Sequence, residues 1–264
     1  MRYLTIKNRS ILREMVSADF KVRYQNSVLG YLWSLLRPLF LFAILYVVFT
    51  YIFNVGKGVP HWPVHLLLGI VFWNFFVEST VIGMSSVVSR GDLIRKISIP
   101  RYLTVLASSM SALINLTINI VVVIVFALLN GVMPSFYWLL FPLIIIELFV
   151  FATSLAFFMS ALYVKFRDIT YIWEVVMQAA FYATPILYPL TKVPDQYRKY
   201  FFVNPMAQII QDGRALLISP TNTITSWGIA GPYVVATPFV IIVGSVIISR
   251  VYFKSQAKWF AENI

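Results

Sequence analysis

Long apolar runs divided by short charged segments make up most of the chain. A helix that crosses a bilayer needs about 20 mostly apolar residues. Six runs meet that length: 28–53, 64–88, 102–129, 136–163, 171–190 and 231–253. The first is the least regular, because its purely apolar part, 39–53, is too short alone. It is read as one kinked helix that includes 28–36, with Arg37–Pro38 at the kink and the arginine reaching for the interface. The other reading starts the span at Pro38, after a separate interfacial helix.

Composition agrees with a membrane protein. The 264 residues are 60% hydrophobic, 17% aromatic and only 12% charged. Soluble domains are about half apolar and about a quarter charged, and a chain of this size has no interior that could hide the surplus. A soluble enzyme, a disordered chain and a secreted disulfide scaffold are excluded. The absence of cysteine also removes disulfides, thiolate metal sites and cysteine nucleophiles. Residues 1–27 carry six Lys/Arg and no long apolar core, so they do not read as a cleavable signal peptide.

The net charge of +11 first carries topology. On one side lie the N-terminal segment through Arg37, Arg90, Arg95, Lys96, Arg101, Lys165, Arg167 and the tail residues Arg250, Lys254 and Lys258. Together they are 16 of the 21 basic residues. Lys57, Lys192, Arg198, Lys199 and Arg214 fall on the other side. The excess puts both termini in the cytosol. With no linker, low-complexity tract or repeat, 1–264 reads as one transmembrane domain. Its parts are a cytosolic segment 1–27, the spans within 28–253 and a cytosolic tail 254–264.

Three segments do not span. In 8–26, Ile11, Leu12, Met15, Val16 and Phe20 recur at helical spacing among basic residues, which predicts an amphipathic helix on the inner membrane surface. It is either a lipid anchor or a docking surface. The loop 89–100 is either a solvated, orientation-setting loop or a short cytosolic coupling helix over 92–97. The segment 191–227 follows the breaks at Thr184–Pro185 and Pro189. Asn204–Pro205 then starts a helix whose apolar stretch, 206–218, is too short to cross. That segment is interfacial or re-entrant.

Little in the chain supports catalysis. No phosphate-binding glycine loop of the G-x-x-x-x-G-K-[ST] type occurs. His61 and His65, the only histidines, are separated by Trp62–Pro63 and have no adjoining carboxylate, so they read as part of an outer loop and not as metal ligands. Glu78 and Glu147 fall near mid-membrane depth without a Lys or Arg in their spans. Hydrogen bonding to another helix, a wet cavity and proton coupling are the open readings. Asn115, Thr117 and Asn119 are the candidate partners. Phe42, Tyr46, Phe49 and Phe53 form one helical stripe, and Phe72, Trp73, Phe75 and Phe76 crowd the second span. Such stripes are either packing surfaces or a path for sugars, whose C–H faces stack on flat rings.

The block Asp19-Phe20-Lys21-Val22-Arg23-Tyr24, followed by Ser27-Val28-Leu29-Gly30-Tyr31-Leu32-Trp33-Ser34 and Pro38, resembles the membrane subunits of the ABC-2 type polysaccharide exporters. These are the O-antigen, teichoic-acid and capsule export permeases. Phe166-Arg167-Asp168, Thr184-Pro185-Ile186-Leu187-Tyr188 and Asn204-Pro205 continue the likeness, while Ala18 departs from it, since many members carry a basic residue there. The resemblance implies an all-α polytopic protein with six transmembrane helices. An N-terminal amphipathic interface helix and short outer re-entrant or gate helices between spans five and six would complete it. It implies a homodimer joined to two copies of a separate ATPase, with ATP and magnesium bound there and no cofactor in this chain. The implied substrate is a polyprenyl-diphosphate-linked glycan, moved across the bacterial inner membrane; nucleic acid is not a partner. Asp19, Lys21, Arg23, Tyr24, Asp92, Arg95 and Lys96 become the expected ATPase-coupling residues. Arg13, Arg23 and Arg37 would meet the lipid diphosphate. Phe42, Tyr46, Phe49, Phe53, Trp73, Phe76, Tyr182 and Tyr188 would line the glycan channel, and Pro185, Asn204 and Pro205 would form the outer gate. An ABC-2 permease for a lipid or drug, and a proton-coupled carrier, are the alternatives.

Overall fold

The computed structural model describes residues 6–24, 30, 32–91, 99–219, 223–229 and 231–257, and these form helices with no strand among them. In chain order they are α1 (Ile6–Tyr24), α2 (Leu32–Val47), α3 (Trp62–Ser89), α4 (Tyr102–Leu129), α5 (Phe141–Lys165), α6 (Ile169–Ala183), α7 (Asp195–Phe201), α8 (Pro205–Leu217), α9 (Ser226–Ile229) and α10 (Pro232–Gln256). A π-helical turn, Val48–Ile52, prolongs α2, and a 3-10 turn, Phe136–Leu140, leads into α5.

Among the described residues, five segments are long and apolar enough to cross a membrane: Leu32–Ile52, Trp62–Ser89, Tyr102–Leu129, Phe136–Lys165 and Pro232–Gln256. The first is a single helix with Pro38 inside it. The expected crossing 171–190 is instead a 15-residue helix, α6, of about 22 Å at 1.5 Å per residue. Its end is local chemistry. Thr184 precedes Pro185, whose ring disfavours helical geometry at the preceding residue, and Thr184 is extended at ψ 139°.

The core is built around α3, which packs on α2, α4, α5, α6 and α8 and is buried along most of its length. An all-round apolar helix of this kind belongs in an interior. Where α3 crosses α5 the approach is close enough to need glycine: a Cβ at Gly83 would stand 2.6 Å from Ala156 Cβ. Gly83→Leu therefore costs about 1–3 kcal/mol by overpacking. The check is the melting temperature of the purified protein in detergent, which falls; an unchanged value would contradict this packing.

Helix α1 lays Ile11, Leu12, Met15 and Val16 against Leu103 and Ala107 at the start of α4. Helix α8 is capped by Asn204, whose Oδ1 accepts from Met206 N at 3.0 Å. It lies buried among α3, α5 and α10.

Candidate functional site

A groove of about 830 Å³ opens between α2, α3, α4 and α6. Two contacts fix the register of α3 against α6. The Trp73 and Phe181 rings lie 5.8 Å apart, and Trp173 Nε1 donates to Thr80 Oγ1 at 3.2 Å. The two helices are thus antiparallel. Glu78 and Glu174 sit within about 3 Å of the same level along the axis, and so do Asn74 and Gln178 one turn further on. All four side chains line the groove. Trp73, Phe181 and Tyr182 supply aromatic walls beside them. Of the candidate partners for Glu78 it is Asn115 that bonds it, with Nδ2 donating to Oε1 at 2.8 Å. Asn119 donates instead to Ser34 O and Asn115 O, and Thr117 to Leu113 O within its own helix.

At one end of α3, Arg90 forms an ion pair with Asp19 of α1 and donates to Thr104 O of α4 at 3.2 Å. The second carboxylate oxygen of Asp19 accepts from Ser111 Oγ at 3.3 Å. Asp19 is turned inward and ties α1 to the helices of the groove.

At the other end, Arg214 of α8 is 1% exposed and acts as a clamp. Its guanidinium donates to His65 O at 3.1 Å, Pro185 O at 2.7 Å, Ile186 O at 3.0 Å and Gln211 Oε1 at 2.9 Å. Burial lowers its pKa to about 9, so it remains a cation at neutral pH. Nearby, Gln208 Nε2 donates to Asp212 Oδ2 at 2.7 Å and reaches Glu147 Oε2 at 3.5 Å. Burial pushes the Asp212 carboxyl up to about 6, against the pull of the Gln208 hydrogen bond. Glu147 belongs to this network around α8 and Glu78 to the groove.

The residues that line the groove, together with Asp19, Arg90 and Arg214 at its ends, lie within residues 11–218, and that stretch matches the model of the ABC-2 type transporter family. The chain belongs to this family. It is 31% identical over 212 residues to the O-antigen export system permease protein RfbA of Klebsiella pneumoniae, covering 80% of this chain and 81% of that one. To the protein of the same name from Myxococcus xanthus it is 27% identical over 210 residues, 79% and 80% of the two chains. The polysialic acid transport protein KpsM of Escherichia coli is more distant, at 21% over 206 residues, 74% and 76%. With five helices of spanning length, this ABC-2 protein is a multi-pass protein of the bacterial inner membrane.

Within this ABC-2 chain the residues singled out from sequence fall in different places. Trp73, Tyr182 and Arg37 line the groove. Phe42 is buried, stacked on Tyr46 at 5.7 Å and edge-on to Phe126 of α4 at 5.5 Å. Phe76 stacks on Phe151 in the core at 5.4 Å. Phe49 and Phe53 meet each other at 5.5 Å beyond α2. Tyr188 packs edge-on to Phe201 at 6.2 Å and donates to Tyr182 O at 3.3 Å. Asn204 Nδ2 donates to Thr184 Oγ1 at 3.0 Å, and Pro185 O accepts from Arg214, so the three expected gate residues share one cluster. Arg13 and Lys21 are exposed on α1. Arg23 and Tyr24 close that helix, with side chains outside the described set, and Asp92, Arg95 and Lys96 lie outside the described residues. Sequence reasoning gave Asn74, Glu174 and Gln178 no role and counted Arg90 and Arg214 only in the charge balance. The available signal was the pair of i,i+4 polar positions on otherwise apolar helices.

Proposed function

We propose that this ABC-2 chain is the membrane subunit of an ATP-driven exporter of a polyprenyl-diphosphate-linked polysaccharide. The observation that carries the reading is the groove, where Trp73, Phe181 and Tyr182 alternate with hydrogen-bonding groups at Asn74, Glu78 and Gln178. Flat rings stack on pyranose faces without fixing one orientation, and amide and carboxyl groups exchange hydrogen bonds with successive hydroxyls as a polymer slides. The names of the relatives, O-antigen and polysialic acid transport proteins, support the same substrate class.

In this reading α6 and the following 184–190 together make a fifth crossing and α10 the sixth, so both termini lie in the cytosol on the basic side. Helix α1 is the interface helix, and α8 is re-entrant, enclosed by protein as such backbone must be. Two copies assemble around the path with two ATPase subunits, which bind ATP and magnesium. Their closure pushes on α1, and the Asp19–Arg90 pair passes the displacement to the end of α3. The outer cluster of Thr184, Pro185, Asn204 and Arg214 releases the polymer.

Co-purification is the test. The detergent-extracted protein brings down a nucleotide-binding subunit, and the complex hydrolyses ATP; absence of any associated ATPase overturns the reading. Asp19→Ala and Arg90→Ala each lower glycan export several-fold at unchanged protein level, in keeping with a part-exposed pair worth about 1 kcal/mol. The exchange Asp19→Arg with Arg90→Asp restores a substantial part of it. Equal export by both single variants and wild type would remove the pair from the coupling path.

A further inference from the structure

Between α5 and α8 the protein buries more acceptor oxygens than it supplies donors for. Gln208 is 0% exposed, and its Nε2 donates to Asp212 Oδ2 at 2.7 Å and reaches Glu147 Oε2 at 3.5 Å. Three head-group oxygens remain, Glu147 Oε1, Asp212 Oδ1 and Gln208 Oε1, and each is buried without a hydrogen-bond partner. Through the shared nitrogen the two bonded carboxylate oxygens stand no more than about 6 Å apart. Each free oxygen is only ~2.2 Å from the bonded atom of its own planar head. The three therefore belong to one cluster.

The charge is left as incomplete as the hydrogen bonding. Neither acid takes part in an ion pair among the described residues. Arg214 is two positions past Asp212, roughly 200° round α8. Its hydrogen bonds go to His65 O, Pro185 O, Ile186 O and Gln211 Oε1. Lys165 closes α5 about 27 Å along from Glu147. The Ser154–Ser245 and Phe157–Phe253 contacts run α10 parallel to α5, which puts Arg250 about 18 Å beyond the Glu147 level. Two buried like charges at this spacing need a counter-charge. A single proton leaves a bare carboxylate oxygen beside it, whereas one divalent cation answers both charges and all three oxygens.

We propose that Glu147, Gln208 and Asp212 form a binding site for a divalent hard cation of the calcium class. Two carboxylates and an amide carbonyl are an all-oxygen donor set, which hard cations take and soft metals do not. Calcium accepts about six to eight oxygens in flexible geometry, so the three free protein oxygens and bound water complete its shell. Glu147 is only partly buried, which leaves the ion a way in. Bound there, the cation fastens α8 to α5, as Arg214 fastens it to α3 and to the Pro185–Ile186 break. Helix α8 is then held on two flanks, and its hold on α5 follows the divalent ion concentration. The site lies outside the groove and binds its ion without any glycan.

The test uses the full-length permease, purified in detergent, stripped with EDTA and dialysed. Calcium chloride at saturation raises the wild-type melting temperature by about 5 °C or more. Radioactive calcium in equilibrium dialysis binds at about one ion per chain. In Glu147→Gln and in Asp212→Asn, which keep the side-chain shape and remove a charge, the rise disappears and the bound ion is lost. Without calcium both variants melt at or above the wild type, because each removes an unpaired buried charge. No rise in the wild type, an equal rise in both variants, or the same rise from sodium chloride at matched ionic strength overturns the site. Variants that melt well below the EDTA-treated wild type overturn it too, because the acids would then hold α8 through protons and hydrogen bonds of their own. Each of these outcomes leaves the exporter reading untouched, since no glycan or ATPase enters the measurement.

Discussion

Arg214→Met abolishes export and lowers the melting temperature of the purified permease by about 10 °C or more. Methionine fills much of the arginine's volume, so the loss isolates the hydrogen bonds. Four acceptors, at His65, Pro185, Ile186 and Gln211, lose their donor in a place where no water replaces it. Each abandoned buried acceptor costs about 1–3 kcal/mol, a large part of the 5–15 kcal/mol that holds a typical domain. The same arginine joins three pieces of chain, α3, the Pro185–Ile186 break and α8. Its loss therefore frees α8 and the Pro185–Ile186 break from α3 even in molecules that stay inserted. Arg214→Lys recovers only a fraction, because an ammonium has three donors on a compact head and cannot reach four acceptors in a plane. Gly69 supports the argument sterically: a Cβ there would lie 2.9 Å from Arg214 Nη2. Thermal stability in detergent and surface glycan display are the readouts. A Met variant that melts with wild type would mean that the clamp contributes nothing.

Much of this architecture was legible in the chain, because long apolar helices announce themselves. Tyr102–Leu129 was expected residue for residue, and the segments Trp62–Ser89, Phe136–Lys165 and Pro232–Gln256 differ from expectation by one to three residues at their ends where the boundaries shift at all. The runs are long, and Pro or charged residues bound them, so little competes with helix there. The run 171–190 was read as a crossing broken at Thr184–Pro185 and Pro189, and the helix does end at that first break. Its hydropathy continues through Leu190, but backbone sterics at Thr184–Pro185 stop the helix at Ala183.

The site was less legible, for a different reason. The Asp19–Arg90 pair joins residues 71 apart in the chain, and three of the four acceptors of Arg214 are 28 to 149 residues away. Such pairings leave no local pattern. The stripe Phe42–Tyr46–Phe49–Phe53 showed that these residues share a face, but periodicity does not name the neighbour, and for Phe42 the neighbour is Phe126 of α4. Glu174 and Gln178 are two polar residues in a helix of otherwise apolar and aromatic character. Only the register against α3 gives them meaning, by bringing them level with Glu78 and Asn74.

The central claim is that the groove between α2, α3, α4 and α6 is the polymer's path, and the absence of native cysteine makes it directly testable. Gln178→Cys places one thiol in the groove, and Val243→Cys places one on the exposed face of α10, 58% accessible and away from the groove. Both proteins are expressed with the partner ATPase in glycan-producing cells and treated with a bulky neutral maleimide, with labelling measured on each. A filled path cannot pass a chain of sugars, however well the ATPase turns over. Labelled Gln178→Cys loses surface glycan to the level of cells without the permease, while Val243→Cys, labelled to the same extent, keeps it. Full display by labelled Gln178→Cys would contradict the account, because the polymer would then have to travel elsewhere.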